Sequence, residues 1–131
     1  MCGIAGIYNL NDLPVSAVDV KKMTDAIRHR GPDGEGQYVD GSLGLGHRRL
    51  SIIDLTEAGS QPMASAGGEC VISYNGEVYN FGELRQDLED KGHTFRSQTD
   101  TEVVLNAYVE WGTDCVDYFN GMFAFAIWDK R

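Results

Sequence analysis

An α+β fold built on antiparallel strands is predicted by two observations on the sequence. Apolar runs without helical period are mixed with segments whose apolar residues recur at helical spacing, in no strict β-α-β alternation. Two strand candidates, Gln37 to Asp40 and Leu43 to Leu50, are separated only by Gly41-Ser42, a dipeptide suited to a hairpin. At 131 residues, 42% hydrophobic and 24% charged, residues 1–131 form one domain with material for a core.

Taken in order, Gly3 to Tyr8 mixes Ile, Ala and Gly without helical period and reads as a buried strand, which would hold Cys2 at a strand end. Val15, Val18, Met23, Ala26 and Ile27 recur at near-helical spacing after Ser16-x-x-Asp19, a capping start, and this helix should stop near Gly31-Pro32. After the hairpin, a further strand is expected from Cys70 to Tyr74. The spacing predicts helices over Phe81 to Lys91, with Phe81, Leu84 and Leu88 apolar, and over Thr101 to Trp111, with Val103, Val104, Ala107, Tyr108 and Trp111 apolar. Met122 to Trp128 is almost wholly apolar and reads as a central strand. Asp129-Lys130-Arg131 follows directly, so the hairpin would lack its second arm and one strand edge its neighbour.

A net charge of -9 argues against a nucleic-acid or anionic-membrane surface, because phosphates would be repelled. No apolar run is long enough to span a bilayer, and neither a basic leader nor a cleavage pattern opens the chain, so the expected location is cytoplasmic. Three cysteines at irregular spacing suit neither a disulfide framework nor a C-x-x-C zinc site. Cys70 and Cys115, in apolar surroundings, read as small core residues. His47 and His93 have no second ligand at a metal-site spacing, and no metal is expected.

Cys2 follows the initiator methionine, so removal of Met1 would leave a thiol and a free α-amino group on one residue. An amine with a reference pKa of about 7.7 to 8.0 can act as base toward that thiol near neutral pH. Other polar residues read ambiguously when taken alone. Asn75-Gly76 is a strong hairpin signal, Asp100 precedes a helix as a cap would, Arg49 suits an exposed strand, and Glu77 a solvated turn. Arg28-His29-Arg30 followed by Gly31-Pro32 is a good helix stop in its own right.

Five motifs occur in one order: Cys2-Gly3-Ile4-Ala5-Gly6, Arg28-His29-Arg30-Gly31-Pro32-Asp33-Gly34, Gly46-His47-Arg48-Arg49-Leu50-Ser51-Ile52-Ile53-Asp54, Tyr74-Asn75-Gly76-Glu77-Val78-Tyr79-Asn80 and Thr99-Asp100-Thr101-Glu102-Val103. With Gly121-Met122-Phe123-Ala124-Phe125-Ala126, they make the chain resemble the N-terminal glutaminase domain of glutamine-dependent asparagine synthetases. These are class II glutamine amidotransferases of the N-terminal-nucleophile hydrolase fold. The resemblance implies antiparallel sheets layered between helices (αββα), incomplete here at the C-terminus. It implies that Cys2 attacks glutamine to form a thioester, that the Asn75 side-chain amide and the Gly76 N–H form an oxyanion hole, that Arg49 holds the substrate carboxylate, and that Glu77 and Asp100 meet its ammonium.

The partners implied are glutamine, a C-terminal synthetase domain absent from this chain, and a second copy as a homodimer candidate. No cofactor is implied for these residues; ATP and Mg belong to the synthetase domain, whose serine- and glycine-rich pyrophosphate loop does not occur here. Two alternatives stay open. One is an amidotransferase serving another acceptor, such as those making glucosamine 6-phosphate or phosphoribosylamine, or another carboxylate. The other is a non-catalytic fragment that binds glutamine or packs against a partner.

Overall fold

The computed structural model describes residues Met1–Arg131. Six strands and three helices run in the order β1 (Gly3–Tyr8), α1 (Ala17–Ala26), β2 (Gly34–Asp40), β3 (Leu43–Arg49), β4 (Met63–Ala64), β5 (Cys70–Val78), α2 (Phe81–Asp90), α3 (Asp100–Trp111) and β6 (Gly121–Asp129). They form two antiparallel three-stranded sheets, ordered β1-β3-β2 and β4-β5-β6. Helix α1 covers the first sheet, α2 and α3 cover the second, and the bare faces of the sheets meet, so the layering is αββα.

Side-chain alternation on β3 explains this layering. Gly44, Gly46 and Arg48 face α1, where a Cβ at either glycine would run into Val20 and, respectively, Val15 or Thr24. The helix therefore lies close against the sheet. Leu43, Leu45 and His47 face the second sheet, where the two leucines meet Val71 with Tyr38 and Trp128 alongside. Polar bonds stitch the same interface. The Ser73 hydroxyl donates to Gly46 O at 3.0 Å, Trp128 Nε1 to Asp40 Oδ2 at 2.8 Å, and His47 Nε2 to Tyr74 O at 2.9 Å. On the other side of β5, Cys70, Ile72, Tyr74 and Val78 join Leu84, Leu88, Val103 and Val104 in the larger core.

The Gly41-Ser42 hairpin holds, with Asp40 opposite Leu43, and α2 buries Leu84 and Leu88 as expected, while α3 is buried on every side from Asp100 to Ala107. Four expectations change. Ser16 stands at the start of α1 but its side chain makes no capping bond. The buried face of that helix is Val20 and Thr24, while Val18 is 61% exposed and Met23 is exposed too. Threonine reads as polar in a binary pattern, yet Thr24 satisfies its hydroxyl on Lys21 O at 3.0 Å and fits the glycine groove.

The third change is that Asn75-Gly76 makes no turn. Both residues lie inside β5, which runs to Val78 rather than stopping at Tyr74. The fourth is that β6 is an edge strand, paired with β5 alone. Phe123, Phe125 and Ile127 pack toward the helices, whereas Met122, Ala124 and Ala126 are exposed. Its apolar composition reflects one covered face and an uncovered opposite one. The expected unpaired edge is present.

His47 is fully buried, and a carbonyl partner fixes its proton on Nε2, leaving Nδ1 without a hydrogen bond. Burial lowers its pKa from 6.5 to about 4, with the Arg49 cation acting in the same direction and the bond to Tyr74 O opposing. The unfolded imidazole titrates near 6.5, so below that pH the unfolded chain takes up a proton that the folded chain refuses. This contribution is fully present above about pH 6.5 and is lost as the pH falls toward about 4, reaching ~3 kcal/mol. Thermal melts between pH 7 and 4 should therefore show a fall in Tm that is smaller in His47→Gln, which keeps an N–H donor but cannot titrate.

Candidate functional site

One pocket opens at the end of the layer between the sheets, and Cys2, Arg49, Asn75, Gly76, Glu77 and Asp100 all line it. Antiparallel pairing brings the first two together, because Gly3 stands opposite Arg48 and the start of β1 therefore lies beside the end of β3. Gly3 abuts Ile27 on the α1 side, so alternation turns Cys2 toward the second sheet. Arg49 faces the same way, opposite in sense to Arg48. Cys2 is half-buried, and its sulfur receives the Leu50 N–H at 3.3 Å and lies 3.6 Å from Leu50 O. Arg30 Nε donates to the Cys2 carbonyl at 3.0 Å, which gives the Arg28–Arg30 turn a positioning role beyond ending α1.

The opposite wall is the edge of β5. Strand β4 pairs only with Val71 and Ile72, so the edge beyond them has no neighbouring strand. Alternation points the N–H groups of Tyr74, Gly76 and Val78 to this edge. The Tyr74 N–H donates to Gln61 Oε1 at 2.6 Å, and that of Val78 to Asp100 Oδ2 at 3.0 Å. Between them the Gly76 N–H faces the pocket. The Asn75 side chain, on the face opposite Tyr74, reaches the same space half-buried. Gly76 has φ +154, and a Cβ there would collide with Met122 O and Phe123 Cα. Only glycine lets β6 lie this close.

Charges divide across the pocket. Arg49 projects its guanidinium into the 54–59 loop, donating to Thr56 O at 2.7 Å and to Asp54 O, with Gly59 packed against it. Nε and the remaining Nη hydrogens have no partner within the chain. The loop is itself anchored through the Asp54 carboxylate, which accepts the Gln98 N–H at 3.0 Å, the Thr56 hydroxyl at 2.6 Å and the Thr56 N–H at 2.8 Å. These donors lower its pKa to about 2. Asp100 and exposed Glu77 supply the negative side.

Asp100 is not the helix cap. Thr99 is, its hydroxyl accepting the Glu102 N–H at 3.2 Å, while Asp100 begins α3 and turns its carboxylate onto the Tyr74 hydroxyl at 2.7 Å. The residues that sequence reasoning missed are Tyr74, Gln61, Leu50 and Arg30. Each serves the site through hydrogen bonding to a distant segment, which no spacing in the sequence marks. Tyr74 alone carried a signal, as a phenol inside a core strand that must find a partner for its hydroxyl. Groups of His, Cys, Asp or Glu arranged to hold a metal ion are absent, and no helix is long and apolar enough to cross a membrane.

A thiol at the head of the first strand, a strand-edge glycine and side chains of opposite charge thus line one pocket in a four-layered α+β frame. The chain belongs to the family of glutamine amidotransferase domains, whose match spans residues 1–131. Among its relatives, asparagine synthetase (glutamine-hydrolysing) 3 of Bacillus subtilis is 43% identical over 134 residues, covering 100% of this chain and 22% of that protein. Asparagine synthetase (glutamine-hydrolysing) 1 of Arabidopsis thaliana is 40% identical over 132 residues, covering 100% and 22% respectively. The chain thus spans about a fifth of the length of these relatives. A solved structure of glutamine phosphoribosylpyrophosphate amidotransferase from B. subtilis, complexed with ADP and GMP, matches with a TM-score of 0.79 at 21% identity, covering 98% of this chain and 35% of that one. The fold is that of an N-terminal-nucleophile amidotransferase, as the sequence motifs implied.

Gly76→Ala should destabilise the chain by on the order of 3 kcal/mol, since overpacking and a disfavoured φ add. The urea midpoint of unfolding measures it, and an unchanged midpoint would mean that β6 can move away from β5 without cost.

Proposed function

We propose that this domain hydrolyses glutamine to glutamate and ammonia, with Cys2 as nucleophile, and that the ammonia serves an amidation carried out by a synthetase domain elsewhere in the same protein. The observation that carries this reading is the convergence on one pocket of a strand-head thiol, the edge N–H of Gly76 and two opposite charge groups. Removal of Met1 would free the Cys2 amine. That amine takes the thiol proton as sulfur attacks the carboxamide carbon, and the Asn75 amide and Gly76 N–H meet the growing oxyanion. The proton passes to the leaving nitrogen, the C–N bond breaks and ammonia departs. Water then attacks the thioester, releasing glutamate and restoring the thiol.

Glutamine is told from other amides by its far end. Arg49 takes the α-carboxylate with its remaining hydrogens, the Asp54 and Thr56 carbonyls holding the guanidinium plane, while Asp100 and Glu77 take the α-ammonium. The relatives' names favour aspartate as the amide acceptor, and their greater length is where an ATP-dependent domain would lie. Exposed Ile52, Tyr79 and Met122 at the pocket mouth give that domain an apolar rim to cover.

Two measurements test the reading. Intact mass should show Met1 missing, and a glutamine-analogue electrophile should label Cys2 but neither Cys70 nor Cys115, whose buried thiols have raised pKa values. Cys2→Ser should retain glutamine binding and lose most turnover; equal labelling of all three thiols would sink the assignment. Arg49→Lys keeps the charge but not the planar fork, and calorimetry should show glutamine binding weakened about tenfold. Unaltered affinity would remove Arg49 from the pocket's recognition role.

A further inference from the structure

We infer that Tyr74 is a positioning residue for the ammonium side of this pocket: its hydroxyl locks the Asp100 carboxylate so that one oxygen is reserved for the substrate's α-ammonium. The inference rests on the glutamine reading above and adds to it the residue that sets specificity for an α-amino acid over a simple amide.

The geometry is selective between the two carboxylate oxygens. The Tyr74 hydroxyl, at 2.7 Å, and the Val78 N–H, at 3.0 Å, both donate to Oδ2. Oδ1 receives no donor from the chain, although Asp100 is only 5% exposed and lines the pocket. Two donors on one oxygen fix the rotation of the carboxylate and direct the other outward. Tyr74 is itself held at every polar atom. Its N–H donates to Gln61 Oε1 at 2.6 Å, its carbonyl accepts from His47 Nε2 at 2.9 Å, and its ring, 2% exposed, lies in the core beneath α2 and α3. Burial and the neighbouring carboxylate push the phenol well above its usual range, so it is a protonated donor at neutral pH. Without the hydroxyl, Asp100 keeps only the Val78 N–H and can rotate about it.

A tyrosine that merely satisfies a buried carboxylate would affect all ligands alike, whereas a positioning residue affects only those with an α-ammonium. The test compares glutamine with glutaramate, the same molecule without its amino group, by calorimetric titration of the Cys2→Ser chain, in which turnover is suppressed. Tyr74→Phe should weaken glutamine about tenfold and glutaramate less than about twofold. Thermal melts check that the variant folds, and Tyr74→Met replaces it if the phenylalanine variant does not. A double-mutant cycle gives a second readout: once Asp100→Asn is in place, Tyr74→Phe should cost glutamine less than about a further twofold. Equal weakening of both ligands, no weakening of glutamine, or additive losses in the cycle would overturn the inference while leaving the glutaminase reading standing. A Cys2→Ser parent that binds neither ligand would overturn both.

Discussion

Backbone amides along the edge of β5 are the constraint on which the site depends. A buried N–H or C=O without a partner is costly, and β4 is too short to pair beyond Val71 and Ile72. The exposed rungs must be satisfied by side chains from elsewhere. Gln61 takes the Tyr74 N–H, His47 the Tyr74 carbonyl and Asp100 the Val78 N–H. Each of these bonds ties a different segment to β5: the stretch before β4, the first sheet and the start of α3. What remains open is Gly76, and the pocket is the space left around it.

Elsewhere, polar groups are gathered into hydrogen-bonded clusters. Glu102 receives the N–H groups of Arg96 and Ser97 and the Ser97 hydroxyl, which shapes the turn leading into α3. Asp54 ties the Arg49 loop to the same turn through Gln98. Arg48, buried beneath α1, donates to Thr24 O at 2.9 Å and lies 2.6 Å from Asp25 and 2.9 Å from Glu35. Removing one partner from such a cluster leaves the others desolvated and unpaired, so the clusters specify position more than they add net stability. Adjacent arginines thus do opposite jobs: Arg48 pins the helix to the sheet, and Arg49 is aimed at the pocket.

Much of the fold was legible in the sequence because its signals are local. An apolar run without helical period marked β1, the Gly41-Ser42 dipeptide between two strand runs marked the β2-β3 hairpin, and apolar residues at helical spacing marked α2 and α3. The signals failed where tertiary packing changes what counts as buried. Thr24 replaced a hydrophobic residue because two glycines on β3 present a shallow groove, and Met122 and Ala124 remained exposed because β6 has a neighbour on one edge only. Asn75-Gly76 carries turn propensity, yet pairing with Ala124 and Phe123 holds it extended.

The sequence by itself determined the family, the strand-head position of Cys2 and the residue types of the site, since five ordered motifs carry these in their identities and spacing. Tertiary structure decided which oxygen, nitrogen or ring each residue meets. Asp100 became a pocket carboxylate because Thr99 took the cap, and Gly76 presents its N–H because β4 ends early. The physical reason is that the deciding hydrogen bonds join distant segments, 13 residues apart for Tyr74 and Gln61 and 48 for Leu50 and Cys2. Only folding the two sheets onto one another brings such groups within reach.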